Sequence, residues 1–253
     1  MRLFDLTGRI ALVTGSSKGL GLAIAQGLAE AGATLVLNSR DAAALAAACD
    51  RLAARGHTVH AAAFDVTDPE AVSAGVARIE AEIGPIDILV NNAGVQHRAM
   101  LEDFPLDAWA RVMRTNLDAV FFVAQAVARK MIPRRRGKII NIASVASEIA
   151  RQSIAPYTAS KGAVKMLTKG MAVDWARHDI QVNAIGPGYF ATEMNTALVE
   201  DPAFTTWLKA RTPARRWGDP KELVGAAVFL ASDASSFVNG HVLYVDGGIT
   251  AAV

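Results

Sequence analysis

The sequence is nearly devoid of cysteine, and this scarcity excludes one class of protein at once. Cys49 is the only cysteine among 253 residues, so the chain has no means of forming an internal disulfide. A scaffold held together by disulfides is therefore excluded, and a reducing compartment such as the cytoplasm is expected. We expect Cys49 itself to be a small buried residue on a helix.

Long apolar runs are missing as well. No apolar stretch reaches the length that a membrane-spanning helix requires. No charged leader precedes an apolar segment, because the first apolar run already has the pattern of a strand. We therefore expect a soluble cytoplasmic protein without a membrane partner.

The net charge is small, and no linker is evident. The formal net charge of +2 is too small to indicate a nucleic acid or another polyanion as a partner. The densest basic cluster, residues 134–136, suits the end of a helix, where cations complement the negative end of the dipole. No Pro/Ser-rich linker or repeat divides the chain, so one domain over residues 1–253 is predicted.

What the chain does contain is an alternation of short apolar runs with alanine-rich stretches. The apolar runs are typical of strands buried on both faces, at residues 10–14, 34–38, 59–64, 86–91, 138–142, 181–185 and 242–245. Helices are predicted at residues 20–31, 42–54, 69–83, 106–133, 156–177 and 220–230. This order predicts an α/β fold, a single doubly wound Rossmann domain with a seven-stranded parallel sheet and helices on both faces. Residues 191–219 break the alternation and are interpreted as a substrate-loop insertion, either a lid or a rigid loop.

A glycine-rich turn separates the first predicted strand from the first helix. Residues 15–21 read Gly-Ser-Ser-Lys-Gly-Leu-Gly. Glycines let the backbone approach a diphosphate closely, and the N-terminus of a helix offers free N–H groups to it. The spacing differs from the Gly-x-Gly-x-x-Gly fingerprint, but the strand–turn–helix context favours a dinucleotide site.

Tyr157 and Lys161 are four residues apart in a predicted helix, which places both side chains on one face. A tyrosine has a pKa of about 10 in water, and a neighbouring ammonium lowers the pKa by favouring the phenolate. The pair therefore suits general acid–base chemistry on an alcohol or a ketone.

With these features the chain resembles the short-chain dehydrogenase/reductase family over essentially its whole length. The motifs that carry the resemblance are residues 14–21, Asp65-Val66-Thr67, Asn91-Asn92-Ala93-Gly94, Asn116, Ser144, Tyr157 with Lys161, Pro187-Gly188 and Thr192. The resemblance implies an oxidoreductase, and it suggests a homotetramer. One departure is Gly186, where the family more often has alanine or asparagine.

The resemblance also assigns catalytic roles. Tyr157 is the acid–base, Lys161 binds the nicotinamide ribose and lowers the pKa of Tyr157, and Ser144 bonds the reacting oxygen. Ser147 and Ser153 are nearby alternatives to Ser144. Asn116 holds a water in a proton relay through the lysine; its alternative role is that of a buried polar residue bonded to backbone.

The choice of cofactor is read from the second strand, which ends in Asn38-Ser39-Arg40 without an acid. An NAD enzyme generally has a carboxylate here, whereas Arg40 and Lys18 suit the 2′-phosphate of NADP. Asp41 is interpreted as a helix cap, and Asp65 as an adenine contact or a helix-entry signal. The predicted cofactor-binding residues are Gly15, Ser17, Lys18, Gly19, Leu20, Gly21, Ser39, Arg40, Asp65, Val66, Asn92, Ala93, Gly94, Tyr157, Lys161, Pro187, Gly188, Phe190 and Thr192.

Polar residues near the motifs indicate the substrate. Arg98 and Arg151 match a carboxylate, so with Ser144 and Tyr157 they are the predicted substrate-binding residues; Arg98 equally suits a surface ion pair. His97, Glu148 and Gln152 are expected in the same polar lining. A sugar acid fits this lining better than a long acyl chain, and no metal is predicted.

Five stretches, residues 95–98, 158–166, 187–194, 211–220 and 237–241, resemble the gluconate 5-dehydrogenase branch of the family. The resemblance implies interconversion of D-gluconate and 5-dehydro-D-gluconate with NADP(H). Two alternatives stay open: another reductase of this chemistry, such as a 3-oxoacyl-carrier-protein reductase, and a non-catalytic NADP-binding regulator. The regulator is disfavoured because such proteins tend to lose catalytic residues, whereas Asn116, Ser144, Tyr157 and Lys161 are all present.

Overall fold

The computed structural model describes residues 2–252, apart from the side chain of Met194, and places one parallel sheet between two layers of helices. The strands are β1 (Ile10–Val13), β2 (Thr34–Ser39), β3 (Val59–Ala63), β4 (Ile86–Asn91), β5 (Gly137–Ile142), β6 (Ile180–Pro187) and β7 (Val242–Val245). Their order across the sheet is β3-β2-β1-β4-β5-β6-β7, and each neighbouring pair is parallel. The predicted seven-stranded Rossmann sheet is confirmed.

The helices cover both faces of this sheet. They are α1 (Gly19–Glu30), α2 (Ala42–Ala53), α3 (Pro69–Glu82), α4 (Leu106–Met113), α5 (Ala119–Arg134), α6 (Ala155–Trp175), α7 (Thr196–Val199), α8 (Pro202–Arg211) and α9 (Val224–Ala231). Asp41 caps α2 by accepting a hydrogen bond from the Ala44 amide, as the sequence predicted. Within residues 2–252, no helix is both long and apolar enough to cross a membrane.

The continuous apolar character of the strands has a simple cause. Ala11 and Val13 of β1 pack in the core that includes Ile24 of α1, whereas Leu12 packs in the opposite core with Val123 of α5. Successive side chains of a strand point to opposite faces, and both faces are covered here. Each residue of the strand must therefore be apolar.

The helix predicted over residues 106–133 is not continuous, and this prediction is corrected. A π-helical turn, Arg114–Asp118, separates α4 from α5. The turn brings Asn116 to Val95, with which its side chain makes two hydrogen bonds. One extra residue in a helix leaves the apolar period nearly unchanged, so the pattern could not show it. Likewise, the helix predicted at residues 220–230 begins as a 3-10 turn, Pro220–Leu223, before α9.

Residues 191–219 follow β6 in the chain. They form a 3-10 turn, Glu193–Asn195, followed by α7 and α8. Phe190 and Gly218, which flank this segment, pair through an isolated parallel bridge. The two ends of the segment are thus held together by backbone pairing.

Gly186 in β6 makes room for an aromatic ring of the adjacent strand. Gly186 pairs with Tyr244 of β7, and a Cβ at position 186 would lie 2.4 Å from the Tyr244 ring. The ring is held in place, because its hydroxyl donates to Glu148 at 2.8 Å and Glu148 also accepts from Lys165. The departure from the family pattern therefore has a steric reason.

We predict that Gly186→Ala lowers the free energy of unfolding, by about 1–3 kcal/mol, because an added methyl must displace a fixed ring. Gly225→Ala in α9 is the control, since a Cβ there meets nothing within 4 Å and alanine is the better helix former by up to about 1 kcal/mol. Denaturant unfolding measures both. An unchanged or raised stability of Gly186→Ala would contradict this account.

Candidate active site

Polar side chains fasten the carboxyl ends of β1, β2 and β3 to one another. The Ser16 hydroxyl donates to the Val13 carbonyl at 2.7 Å and accepts from the Asn38 amide at 3.1 Å. The side chain of Asn38 in turn donates to the carbonyls of Ala62 at 2.9 Å and Phe64 at 3.1 Å. All of these groups lie in the interior, where hydrogen bonds are needed to offset lost hydration. The loops after these strands therefore have fixed starting points.

A second set of hydrogen bonds ties the glycine-rich turn to β4. The Asn92 side chain donates to the carbonyls of Thr14 at 2.9 Å and Gly15 at 3.0 Å. The Thr14 hydroxyl accepts from the amides of Asn92 at 3.0 Å and Ala93 at 3.1 Å. At Gly21, a Cβ would lie 2.3 Å from the Asn92 amide nitrogen and 2.6 Å from the Gly15 carbonyl oxygen. Only glycine fits at this position. Without a side chain there, the turn packs against β4, and the N-terminus of α1 faces the cavity.

The ends of the strands surround a cavity of about 370 Å³ that brings the predicted site residues together. All of them line it except Asn116. From the turn and the adjoining strands these are Gly15, Ser17, Lys18, Gly19, Leu20, Gly21, Ser39, Arg40, Asp65, Val66, Asn92, Ala93 and Gly94. From the other half of the sheet they are Arg98, Ser144, Arg151, Tyr157, Lys161, Pro187, Gly188, Phe190 and Thr192.

At one end of the cavity, cationic side chains surround the end of β2. Arg40 pairs with Asp65 at 3.6 Å, and Asp65 also accepts from the amide and the hydroxyl of Thr67, both at 2.8 Å. Burial raises the pKa of Asp65, but the Thr67 hydrogen bonds and the Arg40 charge outweigh it, so its pKa lies below the usual value. Arg51 of α2 also reaches this end, donating to the Ser17 carbonyl at 3.5 Å. Arg51 could not be predicted as a site residue, because it is one of several charged residues on a surface helix.

Lys161 is buried inside the cavity wall, one helical turn beyond Tyr157 in α6. Its ammonium donates to the Ile142 carbonyl at 2.6 Å and lies 5.7 Å from the centroid of the Tyr157 ring. Burial lowers the pKa of Lys161 to about 8. The shared helix face that the spacing predicted is confirmed.

The acidity of Tyr157 differs from the expectation. Burial raises the pKa of its phenol, the Ser144 hydroxyl lowers it, and the proximity of Tyr189 raises it further, so the net shift is upward. Lys161 was expected to lower this pKa, but its ammonium is turned to the Ile142 carbonyl. Loss of hydration disfavours the phenolate more than the neighbouring groups favour it.

Ser144 takes its position from a tight turn after β5. Its hydroxyl accepts from the Ala146 amide at 3.1 Å. The Ser144 amide donates to the Ser147 hydroxyl at 3.3 Å, which completes a capping box, and the Ser147 hydroxyl itself donates to the Ser144 carbonyl at 2.6 Å. Of the three candidate serines, Ser144 lines the cavity; Ser147 is used inside the turn, and Ser153 stands at a backbone φ of 68° in a separate loop.

Asn116 is the predicted site residue that does not line the cavity. It is buried, its side-chain oxygen accepts from the Val95 amide at 2.8 Å, and its nitrogen donates to the Val95 carbonyl at 2.9 Å and to Ser160 at 3.2 Å. The side chain therefore matches the alternative role, a buried polar residue bonded to backbone. A relay through Asn116 stays a prediction.

Two guanidinium groups, those of Arg98 and Arg151, line the cavity together with the side chain of Tyr189. Partial burial, followed by the positive charge of Arg151, lowers the pKa of Arg98. Burial raises the pKa of Tyr189, while Arg151 and Arg98 pull it down. The three side chains thus share one electrostatic environment.

Several expectations about the polar lining of the cavity were wrong or incomplete. His97 lies outside the lining and packs edge-on against Phe104, Glu148 is bonded to Lys165 and Tyr244, and Gln152 is exposed on a turn. Short stretches of sequence do not show which polar side chains turn toward a site.

An aromatic wall beside the cavity was not predicted from the sequence. In this wall Tyr189 packs against Phe204, Trp207 and Trp217. The concentration of aromatic residues in 189–217 was the available signal.

Comparison with known proteins agrees with this geometry. A family model described as enoyl-(acyl carrier protein) reductase matches residues 15–250. The chain is 62% identical to a gluconate 5-dehydrogenase of Gluconobacter oxydans over 251 residues, 99% of this chain and 98% of the relative. It is 55% identical to a 5-keto-D-gluconate 5-reductase of Escherichia coli over 251 residues, 99% of each chain.

Solved structures show the same relationship. A crystal structure of a gluconate 5-dehydrogenase from Burkholderia cenocepacia in complex with NADP and tartrate is 58% identical to the chain. Its TM-score is 0.98, and the match covers 100% of this chain and 99% of that one. With the parallel sheet, the glycine-rich turn and the Ser144, Tyr157 and Lys161 side chains in one cavity, the chain belongs to the short-chain dehydrogenase/reductase family.

Proposed function

We propose that the protein is an NADP(H)-dependent dehydrogenase that interconverts D-gluconate and 5-dehydro-D-gluconate. The observation that carries the proposal is one cavity lined by Tyr157 and Ser144 and also by the guanidinium groups of Arg98 and Arg151. A substrate with an alcohol or ketone at one position and a carboxylate at another matches both features. The 62% identity to a gluconate 5-dehydrogenase supports the specific choice of sugar acid.

The residues present fit a dinucleotide. The close contacts at Gly21 and the positive φ values of Gly15 and Gly19 give the backbone a shape that leaves room for a diphosphate. At the end of β2, Arg40, Lys18 and Arg51 suit a 2′-phosphate, and no acid occupies residues 38–40. The NADP complex of the Burkholderia cenocepacia relative supports the same choice.

When bound, NADP(H) would supply the hydride transfer that interconverts the alcohol and the ketone. The chain then has to manage the proton at the substrate oxygen. Tyr157 gives this proton in ketone reduction and takes it in alcohol oxidation. Ser144 donates a hydrogen bond to the same oxygen as negative charge develops. Burial raises the pKa of Tyr157 and so favours its neutral phenol, the form that donates the proton in ketone reduction.

The surface supports the homotetramer suggested by the family resemblance. Large apolar side chains are exposed on α4 and α6, which pack together: Leu106 at 85%, Met166 at 61% and Val173 at 79%. Apolar patches of this kind mark subunit interfaces. We place the protein in the cytoplasm, since a single cysteine suits a reducing compartment. We also propose that residues 191–219 form a loop that contacts the substrate.

The proposed chemistry predicts the outcome of removing one hydroxyl. The wild type should consume NADPH with 5-dehydro-D-gluconate, and Tyr157→Phe should lower kcat by roughly 10²–10⁴-fold while NADPH still binds. Absorbance of NADPH measures turnover, and its fluorescence measures binding. Near wild-type kcat in the variant would refute the mechanism, and a preference for an acetoacetyl thioester would favour the 3-oxoacyl reductase instead.

The cofactor assignment predicts a selective effect at the end of β2. Arg40→Ala should raise the KM for NADP about tenfold or more, because a charged hydrogen bond contributes about 1.5–3 kcal/mol, and should leave the KM for NAD nearly unchanged. Arg78→Ala, at an exposed position of α3 outside the cavity, is the matched control. Equal changes for both cofactors would argue against a contact with the 2′-phosphate.

Arg98 should hold the carboxylate of the substrate. Arg98→Ala should lower kcat/KM for gluconate by roughly ten- to a hundredfold, the value of a charged hydrogen bond, since remote contacts also orient the reacting carbon. The hexitol with CH₂OH in place of the carboxylate should be a poor substrate of the wild type and should lose little more in the variant. Equal losses for both compounds would make Arg98 structural.

A further inference from the structure

The guanidinium of Arg151 is held by an aromatic ring rather than by a carboxylate. Its Cζ lies 5.0 Å from the centroid of the Phe204 ring. Its Nε is buried and finds no hydrogen-bond partner among residues 2–252. Within the same part of the chain, none of the ion pairs includes Arg151 or Arg98. A cation that is partly desolvated and unpaired in a cavity is suited to an anionic ligand.

Phe204 has a fixed position. Its amide donates to Asp201, which caps α8, at 3.2 Å. Its ring lies 5.2 Å from that of Trp207 and 6.0 Å from that of Trp217. Trp217 is itself anchored, because its indole N–H donates to the Thr205 hydroxyl at 3.2 Å. The ring under Arg151 is therefore packed in an aromatic cluster with Trp207 and Trp217.

The two guanidinium groups also affect each other. The charge of Arg151 contributes to the lowered pKa of Arg98, so they lie close enough to repel. Repulsion between like charges is relieved when an anion binds between them, and a carboxylate can accept from both. Something must keep Arg151 in place before that anion arrives. The Phe204 ring contacts Arg151 and can do so.

We propose that Phe204 is a positioning residue that holds Arg151 toward the cavity, and that this pair makes the enzyme select a carboxylate-bearing substrate over a neutral one of the same shape. The inference rests on the proposed function for the identity of the substrate. It adds a role for a residue of α8 that does not itself line the cavity.

The test measures binding, not turnover. In the Tyr157→Phe background, saturated with NADP, gluconate and the uncharged gluconamide are titrated by calorimetry. Gluconate should bind at least tenfold more tightly. Phe204→Leu keeps an apolar side chain but removes the ring face, and should reduce this preference by roughly five- to thirtyfold, as expected for a desolvated cation–π contact. Phe204→Tyr keeps the ring and should retain the preference, and Arg151→Ala should lower it at least as far as Phe204→Leu does.

Two outcomes would overturn the proposal: equal binding of gluconate and gluconamide before any change at Phe204, or a Phe204→Leu variant that loses affinity for both by the same factor. The second outcome would mean that Phe204 only packs. NADP affinity, measured on the same variants, should stay constant. Failure of the proposed function appears separately, as a wild-type protein that binds carboxylates selectively but does not turn gluconate over.

Discussion

The hydrogen bonds between the glycine-rich turn and the start of the loop after β4 are the constraint on which the site depends. Thr14 and Asn92 exchange bonds between side chain and backbone, and they leave no room for a side chain at Gly21. Because β1 and β4 are neighbours in the sheet, this junction fixes the loops of both halves of the fold relative to each other. The cavity then takes its shape from backbone rather than from mobile side chains.

Burial has two effects in this molecule, since it stabilises the sheet and also sets the proton chemistry. The same apolar packing that surrounds β5 and α6 lowers the pKa of Lys161 to about 8 and raises the pKa of Tyr157. Both shifts favour the neutral side chain. Binding of a charged cofactor or substrate therefore has a large effect on their protonation, because charge interactions are stronger at a buried site than in water.

Sequence patterns could predict what depends on local order. Apolar runs located the strands, since both faces of the sheet are covered, and the motifs after those strands located the cavity wall. The patterns could not show the π-helical turn at Asn116, which adds one residue to a helix, nor the turning of Glu148 toward Tyr244, a residue 96 positions away. The aromatic wall behind Arg151 was hidden for the same reason, because it joins Tyr189 to side chains of a separate helix.

The contact between Gly186 and Tyr244 has a consequence for how this chain is able to diverge. The two residues lie opposite each other on β6 and β7. The Tyr244 ring occupies the space that a side chain at position 186 would need, so a larger residue at 186 requires a smaller one at 244. Tyr244 also bonds Glu148, four residues after Ser144. Replacements at position 186 thus reach the turn that carries the serine, and among related chains positions 186, 244 and 148 should vary together rather than independently.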